Sequence, residues 1–184
     1  ESEVAKLDTI IQSSNYLSKT IDDFRNFFKP NKEKSYFSIE EMTDQSITLI
    51  NASFSFHYIK ISKKYDSIEK VFGFPNEFSQ AILNVLANAK DALVQKEIEN
   101  PHVYINIYQD EKFGFLEIED NAGGINPDIL IKIFEPYFTT KDKNQGTGIG
   151  LYMSKMIVEK NMSGKLTVIN TSIGAKFIFA IPKE

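Results

Sequence analysis

The chain has 184 residues, 42% of them hydrophobic, enough for one packed domain with an appended element and too short for two full domains. Its 25 acidic residues outnumber 21 basic ones for a net charge of −4, and no segment concentrates Lys and Arg, so nucleic acid is not an expected partner. Cysteine is absent, which removes disulfides and thiolate metal sites, and there is no long uncharged apolar run or signal-like start; a non-spanning, cytoplasmic segment is expected, cut from a longer parent that is free to be membrane-anchored.

From Val4 to Phe28 apolar residues recur at steps of three and four (Val4, Leu7, Ile11, then Leu17, Ile21, Phe24 and Phe28). This predicts a long amphipathic helix ended by Pro30, favoured to pack on a partner helix over its own domain. A polar linker over 31–35 follows. Next come a short strand at Tyr36 to Ile39, a helix from Glu40 to Ala52, and strands at His57 to Ser62 and Val71 to Phe74. Pro75-Asn76 opens a second long helix to about Ile98. Strands follow at Val103 to Gln109 and Phe113 to Glu119, then a short helix from Pro127 to about Phe134. Residues 135–147 form a polar and aromatic loop without periodicity. A helix from Ile149 to about Lys160 and strands at Lys165 to Asn170 and Ala175 to Ile181 close the chain. Helices and strands intermix, and short turns join most of the late strands. The expected fold is α+β, a two-layer α/β sandwich with a mixed, largely antiparallel sheet.

Three features carry candidate chemistry. On the long helix, Asn84, Asn88, Asp91 and Gln95 fall at steps of four, three and four, forming one polar stripe opposite the apolar Phe78, Ile82, Val85, Leu86, Ala89 and Leu93. Such a stripe can be a solvent face, but mid-helix asparagines are poor helix formers, and an amide oxygen on a rigid helix can complete the shell of Mg²⁺. Asp120 ends a strand before a glycine turn, where it is either a turn former or, if buried, a strong acceptor for an exocyclic amino group such as that of adenine. Gly146-Thr147-Gly148-Ile149-Gly150 is neither a Walker A loop nor a dinucleotide fingerprint, since no Gly-Lys-Ser/Thr follows and no strand precedes it. It opens onto a helix, an arrangement that favours phosphate.

In this order the pieces resemble the nucleotide-binding domain of sensor histidine kinases, within the superfamily that also holds gyrase, heat-shock chaperone and mismatch-repair ATPases. Ile82 to Ala92 is similar to the N box of that family and Asp120 to Ile125 to its first glycine box. Phe134 to Lys141 is similar to its F box, and Gly146 to Leu151 to its second glycine box. The first helix is similar to the second helix of the family's dimerisation hairpin, dividing the chain into 1–30, the linker 31–35 and a catalytic domain over 36–184.

The resemblance implies that Asn88 coordinates Mg²⁺, that Asp120 receives the adenine amino group, and that Asn84 lies beside the triphosphate, making Asn84 and Asn88 the catalytic candidates. Asp91, Gly123, Gly124, Ile125, Thr147, Ile149 and Leu151 join the implied nucleotide contacts, and the backbone from Gly146 through Gly148 to Gly150 wraps the phosphates. Phe134 and Phe138 anchor an ATP lid, with core packing an equal alternative for both, and Lys141 is a candidate phosphate contact. Two positions depart from the pattern. Ala122 replaces a common glycine and requires φ below zero, and Ala175 replaces a hydroxyl residue.

Gyrase-like relatives carry a glutamate one turn before the metal-binding asparagine. Here that position is Asn84, which cannot take a proton from water, so phosphoryl transfer is favoured over hydrolysis. His57 and His102 lack the helical acidic setting of a phosphoacceptor and read as structural. The implied activity is that of an ATP-dependent protein-histidine kinase acting on a histidine upstream of Glu1. Its implied partners are a response regulator receiver domain and a second copy of the parent through the hairpin. The competing class is a non-catalytic, nucleotide-gated interaction module.

Overall fold

The computed structural model describes residues 33–141 and 146–183. The helix expected over 1–30 lies outside these residues, as does the centre of the loop expected over 135–147.

Strand β1 (Ser35–Phe37) pairs antiparallel with β3 (Val71–Gly73) in a small separate sheet. Between them lies helix α1 (Ile39–Phe56), whose first turn is capped by Ser38 Oγ accepting from the Glu41 N–H at 3.1 Å. The helix runs one turn beyond the expected Ala52 because Phe54 is buried in the helix layer at 1% exposure. The Ile59 N–H then donates to Phe54 O, and Tyr58 takes a positive φ of 55° to turn the chain. His57 therefore caps a helix and does not enter a strand. Strand β2 starts later than expected, at Lys60–Tyr65.

Helix α2 (Pro75–Gln95) begins at the expected proline, followed by β4 (His102–Gln109) and β5 (Phe113–Asp120). After the site loops come helix α3 (Gly150–Met156) and strands β6 (Lys165–Asn170) and β7 (Ala175–Pro182). The main sheet has five strands in the order β2-β4-β5-β7-β6. Only β2 and β4 run parallel, linked across β3 and α2, and the other pairs are antiparallel. The α+β sandwich is the one expected.

Period-two burial selects the core side of the sheet: Val103, Ile105 and Ile107 on β4, Leu116 and Ile118 on β5, and Phe177, Phe179 and Ile181 on β7. Against them lies the apolar stripe of α2, with Phe78, Ile82, Val85, Leu86, Ala89 and Leu93 all exposed by 3% or less. Phe78 sits at the centre, its ring 5.3 Å from Phe37 and 5.8 Å, edge-on, from Phe179.

Two further elements depart from expectation. The helix expected from Pro127 to Phe134 is a pair of 3₁₀ turns, Pro127–Ile129 and Lys132–Phe134. Of its apolar residues only Ile133 is buried, while Ile131 is 86% exposed, so no continuous stripe holds a longer helix down. The helix expected to reach Lys160 widens after Met156 into a π turn, Ile157–Asn161. That turn buries Ile157 and Val158 side by side and brings Asn161 Nδ2 to 2.6 Å from Glu77 Oε2 on α2.

Replacing Phe78 by Ala should cost about 3–5 kcal/mol in urea unfolding, whereas Ile131→Ala should change stability by less than about 0.5 kcal/mol. Similar losses for both would show that the core is not centred on α2.

Candidate functional site

A cleft of about 550 Å³ opens between α2, the C-terminal end of β5, residues 124–141 and the start of α3, a size usual for small-molecule sites. Because the apolar face of α2 is committed to the sheet, its polar stripe turns to the cleft, and Asn84, Asn88, Asp91 and Gln95 all line it.

At one end lies Asp120. It is 4% exposed, and its Oδ1 accepts from the backbone N–H groups of Ala122 at 2.8 Å and Ala175 at 3.3 Å. Burial pushes its carboxyl above the ordinary 3.8, opposed by those two hydrogen bonds and by the Lys96 charge. Among the described residues nothing bonds to Oδ2 on the cleft wall. The approach of β7 depends on Gly174, where a Cβ would stand 1.8 Å from Asp120 O.

The turn after Asp120 is held from two sides. Lys96 Nζ donates to the carbonyls of Ala122 at 2.6 Å and Gly124 at 2.8 Å. Asn170 brackets Ile125, its Oδ1 accepting from the N–H at 2.9 Å and its Nδ2 donating to the carbonyl at 2.7 Å. Gly123 and Gly124 adopt φ of 74° and 79°, while Ala122 keeps φ outside the positive region, as its Cβ requires. Ala122 is 2% exposed.

At the other end of the cleft, Asn84 joins two helices. Its Nδ2 donates to Gly150 O at 3.0 Å and to Ser154 Oγ at 3.1 Å, and its Oδ1 accepts from Gln80 Nε2. The F-box and second glycine-box segments are laced together. Tyr137 N–H donates to Gly148 O at 3.0 Å, and at Gly148, with φ 66°, a Cβ would fall 2.4 Å from the Tyr137 carbonyl carbon. Between the two ends, Lys141 Nζ donates to Asp91 Oδ2 at 2.6 Å and Asn88 Oδ1 at 3.2 Å. Two oxygens on adjacent turns of α2 thus converge on one positive charge, a donor set that suits a hard cation. Among the described residues no group of three or more His, Asp or Glu could hold a metal by itself, and a hard cation at these two oxygens would complete its shell with other oxygens, such as those of water or a bound ligand.

Of the residues singled out in the sequence, Asp120, Gly124, Ile125, Phe138, Lys141, Gly146, Thr147, Gly148, Gly150 and Leu151 line the cleft with the polar stripe. Gly123, Phe134 and Ile149 are not part of its lining. Phe134 packs edge-on to Phe177 at 6.3 Å with Lys155 Nζ 4.8 Å over its ring, the core-packing alternative, and Ile149 is buried. Sequence reasoning missed Ile129, Ile133 and Phe177, which supply apolar wall, and the supporting Lys96 and Asn170. Phe177 could have been found from strand alternation, which points it to the same side as Ala175.

Comparison with known proteins agrees with this architecture. Residues 73–184 match the family described as histidine kinase-, DNA gyrase B-, and HSP90-like ATPase. The two-component sensor PprA of Pseudomonas aeruginosa is 41% identical over 115 residues, covering 61% of this chain and 12% of PprA. The catalytic domain of histidine kinase ThkA superposes with a TM-score of 0.71 at 27% identity, covering 82% of this chain and 96% of that one. A structure of ThkA in complex with response regulator protein TrrA covers all of this chain and 53% of that one, with a TM-score of 0.78 at 22% identity, a likeness of fold. The chain spans about an eighth of the length of PprA and at most about a third of the other curated relatives compared with it. Over the cleft, the glycine turns and the sheet beneath them, the chain belongs to the histidine kinase-, DNA gyrase B- and HSP90-like ATPase family.

Proposed function

We propose that this chain is the ATP-binding catalytic part of a two-component sensor histidine kinase, which transfers the γ-phosphoryl of Mg-ATP to a histidine outside the described residues for relay to a receiver-domain aspartate. The observation that carries the reading is the buried Asp120 carboxylate, anchored through Oδ1 by two backbone donors in the same cleft as the Asn88 and Asp91 oxygens. In this reading Asp120 accepts the adenine amino group, and Gly124, where a Cβ would stand 2.8 Å from Asn170 Oδ1, shapes the turn beside the base. Ile125, Ile129 and Ile133 exclude water from the base, and the 146–150 backbone holds the phosphates. Asn88 is the protein ligand for Mg²⁺, which supplies charge neutralisation on the transferring phosphoryl group.

Asn84 favours transfer over hydrolysis. Its amide N–H groups are spent on Gly150 O and Ser154 Oγ, so a carboxylate there would face a carbonyl oxygen, and the chain places no proton acceptor one turn before Asn88. His102 shares a 2.8 Å hydrogen bond with Ser62 Oγ and stacks at 4.2 Å on Tyr104, burial holding it below its ordinary 6.5. His57 caps α1. Neither lines the cleft, which supports an acceptor elsewhere. A parent dimerising through a helical hairpin that includes residues 1–30, in the cytoplasm, belongs to the same proposal. No helix among the described residues is long and apolar enough to cross a membrane.

Four outcomes are expected. Because the folded chain holds the Asp120 proton more tightly than the unfolded one, stability should decline as pH rises from 3.8 through the raised value. Asp120→Asn keeps an acceptor for Ala122 and Ala175 without the charge, so its thermal midpoint at pH 7 should match or exceed that of the parent chain. The same variant should weaken ATP binding by up to about 3 kcal/mol in calorimetry, the scale of a buried charged hydrogen bond; unchanged affinity would sink the adenine assignment. Finally, a histidine-bearing helical hairpin supplied in trans should become labelled from γ-³²P ATP, and Asn88→Ala should abolish that labelling. A folded, ATP-binding chain that labels no histidine would instead favour an interaction module.

A further inference from the structure

The contact between Lys141 and α2 has a stricter geometry than a solvated loop lysine needs. Its ammonium is 2.6 Å from Asp91 Oδ2 and 3.2 Å from Asn88 Oδ1, and its side chain is only 26% exposed. The other Asp91 oxygen lies 3.4 Å from Lys90 Nζ. The stem of Lys141 is pinned as well: its N–H donates to Thr139 Oγ1 at 3.1 Å, and a Cβ on Gly146 would come within 3.2 Å of Lys141 Cβ. A tethered cation thus sits on a pair of side-chain oxygens in the cleft that suits Mg²⁺. The two cannot share Asn88 Oδ1. A magnesium ion about 2.1 Å from that oxygen would stand close to an ammonium bonded to the same atom, and like charges so near each other repel strongly in a partly buried site.

We propose that Lys141 is the resident counter-ion of the Asn88–Asp91 seat, and that the metal-loaded nucleotide enters only by displacing its ammonium from Asn88. This rests on the reading of Asn88 as the metal ligand. The displacement makes the cleft discriminate between forms of its substrate: metal-free nucleotide leaves the lysine in place and keeps its positive charge beside the phosphates, whereas Mg-nucleotide brings its own cation and must evict the resident one. Because the Lys141 stem packs under Gly146, eviction also shifts the start of the second glycine turn, tying the arrival of metal to the placement of the phosphate-holding backbone.

The test is titration calorimetry of the full chain with ATP in excess Mg²⁺ and with ATP in EDTA, and the quantity read is the ratio of the two affinities. Lys141→Met should weaken metal-free ATP severalfold while leaving Mg-ATP as tight or tighter, raising the metal enhancement about tenfold. Lys141→Arg, which keeps the charge, should return the ratio toward that of the parent chain. Equal weakening of both forms would make Lys141 a phosphate contact alone and overturn the proposal, as would an unchanged ratio or an arginine variant that behaves like the methionine one. Asn88→Ala should reduce the enhancement to about one; if it does not, the metal reading itself fails, whereas loss of both forms in Asp120→Asn alone leaves the displacement intact.

Discussion

Helix α2 is bound on opposite faces at once, and the site follows from that. Its apolar stripe, from Phe78 to Leu93, is sealed on the sheet, so the helix can neither rotate nor slide without exposing it. Along the rest of its surface a series of polar ties fixes every neighbouring part relative to that one rod. Glu77 meets Asn161 of the π turn, and the Ser79 hydroxyl meets Ser46 of α1 at 2.8 Å. Asn84 holds the start of α3, Asn88 and Asp91 hold Lys141, and Lys96 just past its end holds the first glycine turn. Burial of the apolar face sets the position of the helix, and the weaker, directional hydrogen bonds distribute that position to the loops.

The two carboxylates of the cleft are held on opposite electrostatic principles. Around Asp120 a charge is buried and then supported by main-chain N–H groups and a lysine, an environment that raises its carboxyl yet leaves one oxygen for a ligand. Around Asp91 the carboxylate is about one third exposed and pairs directly with lysines, an arrangement whose net contribution to stability is small because water competes with it. The first is rigid and suits recognition of a neutral, planar group. The second exchanges partners at little cost, which suits an ion that comes and goes.

Much of this was legible in the sequence where the signal is local. The Asn84, Asn88, Asp91 and Gln95 stripe follows from helical spacing alone, and the strands of the sheet from alternation and turn residues. Helix ends were less legible: nothing local to Ala52 says that Phe54 will be buried, and that burial carries α1 to Phe56 and delays β2. The π turn likewise makes a contact that is distant in the chain, from Asn161 to Glu77. The meaning of Asp120 could not be read locally either, because its burial is completed by Gly174 and Ala175 on a strand more than fifty residues later. Lys96 and Asn170 act on backbone atoms 26 and 45 residues away, and no motif marks a residue whose partner is a main-chain group.

The Ala122 and Ala175 positions, which looked like departures from the family pattern, take a different meaning from the way Asp120 is held. Both contribute only their N–H groups to that carboxylate, so the interaction survives any residue other than proline that fits the space and the backbone angle. Both positions are nearly fully buried, so volume and backbone conformation limit what can stand there, while the bond itself asks only for an N–H. The most constrained charge of the cleft is thus held by main-chain groups, so its anchoring does not depend on the side-chain chemistry of its two neighbours.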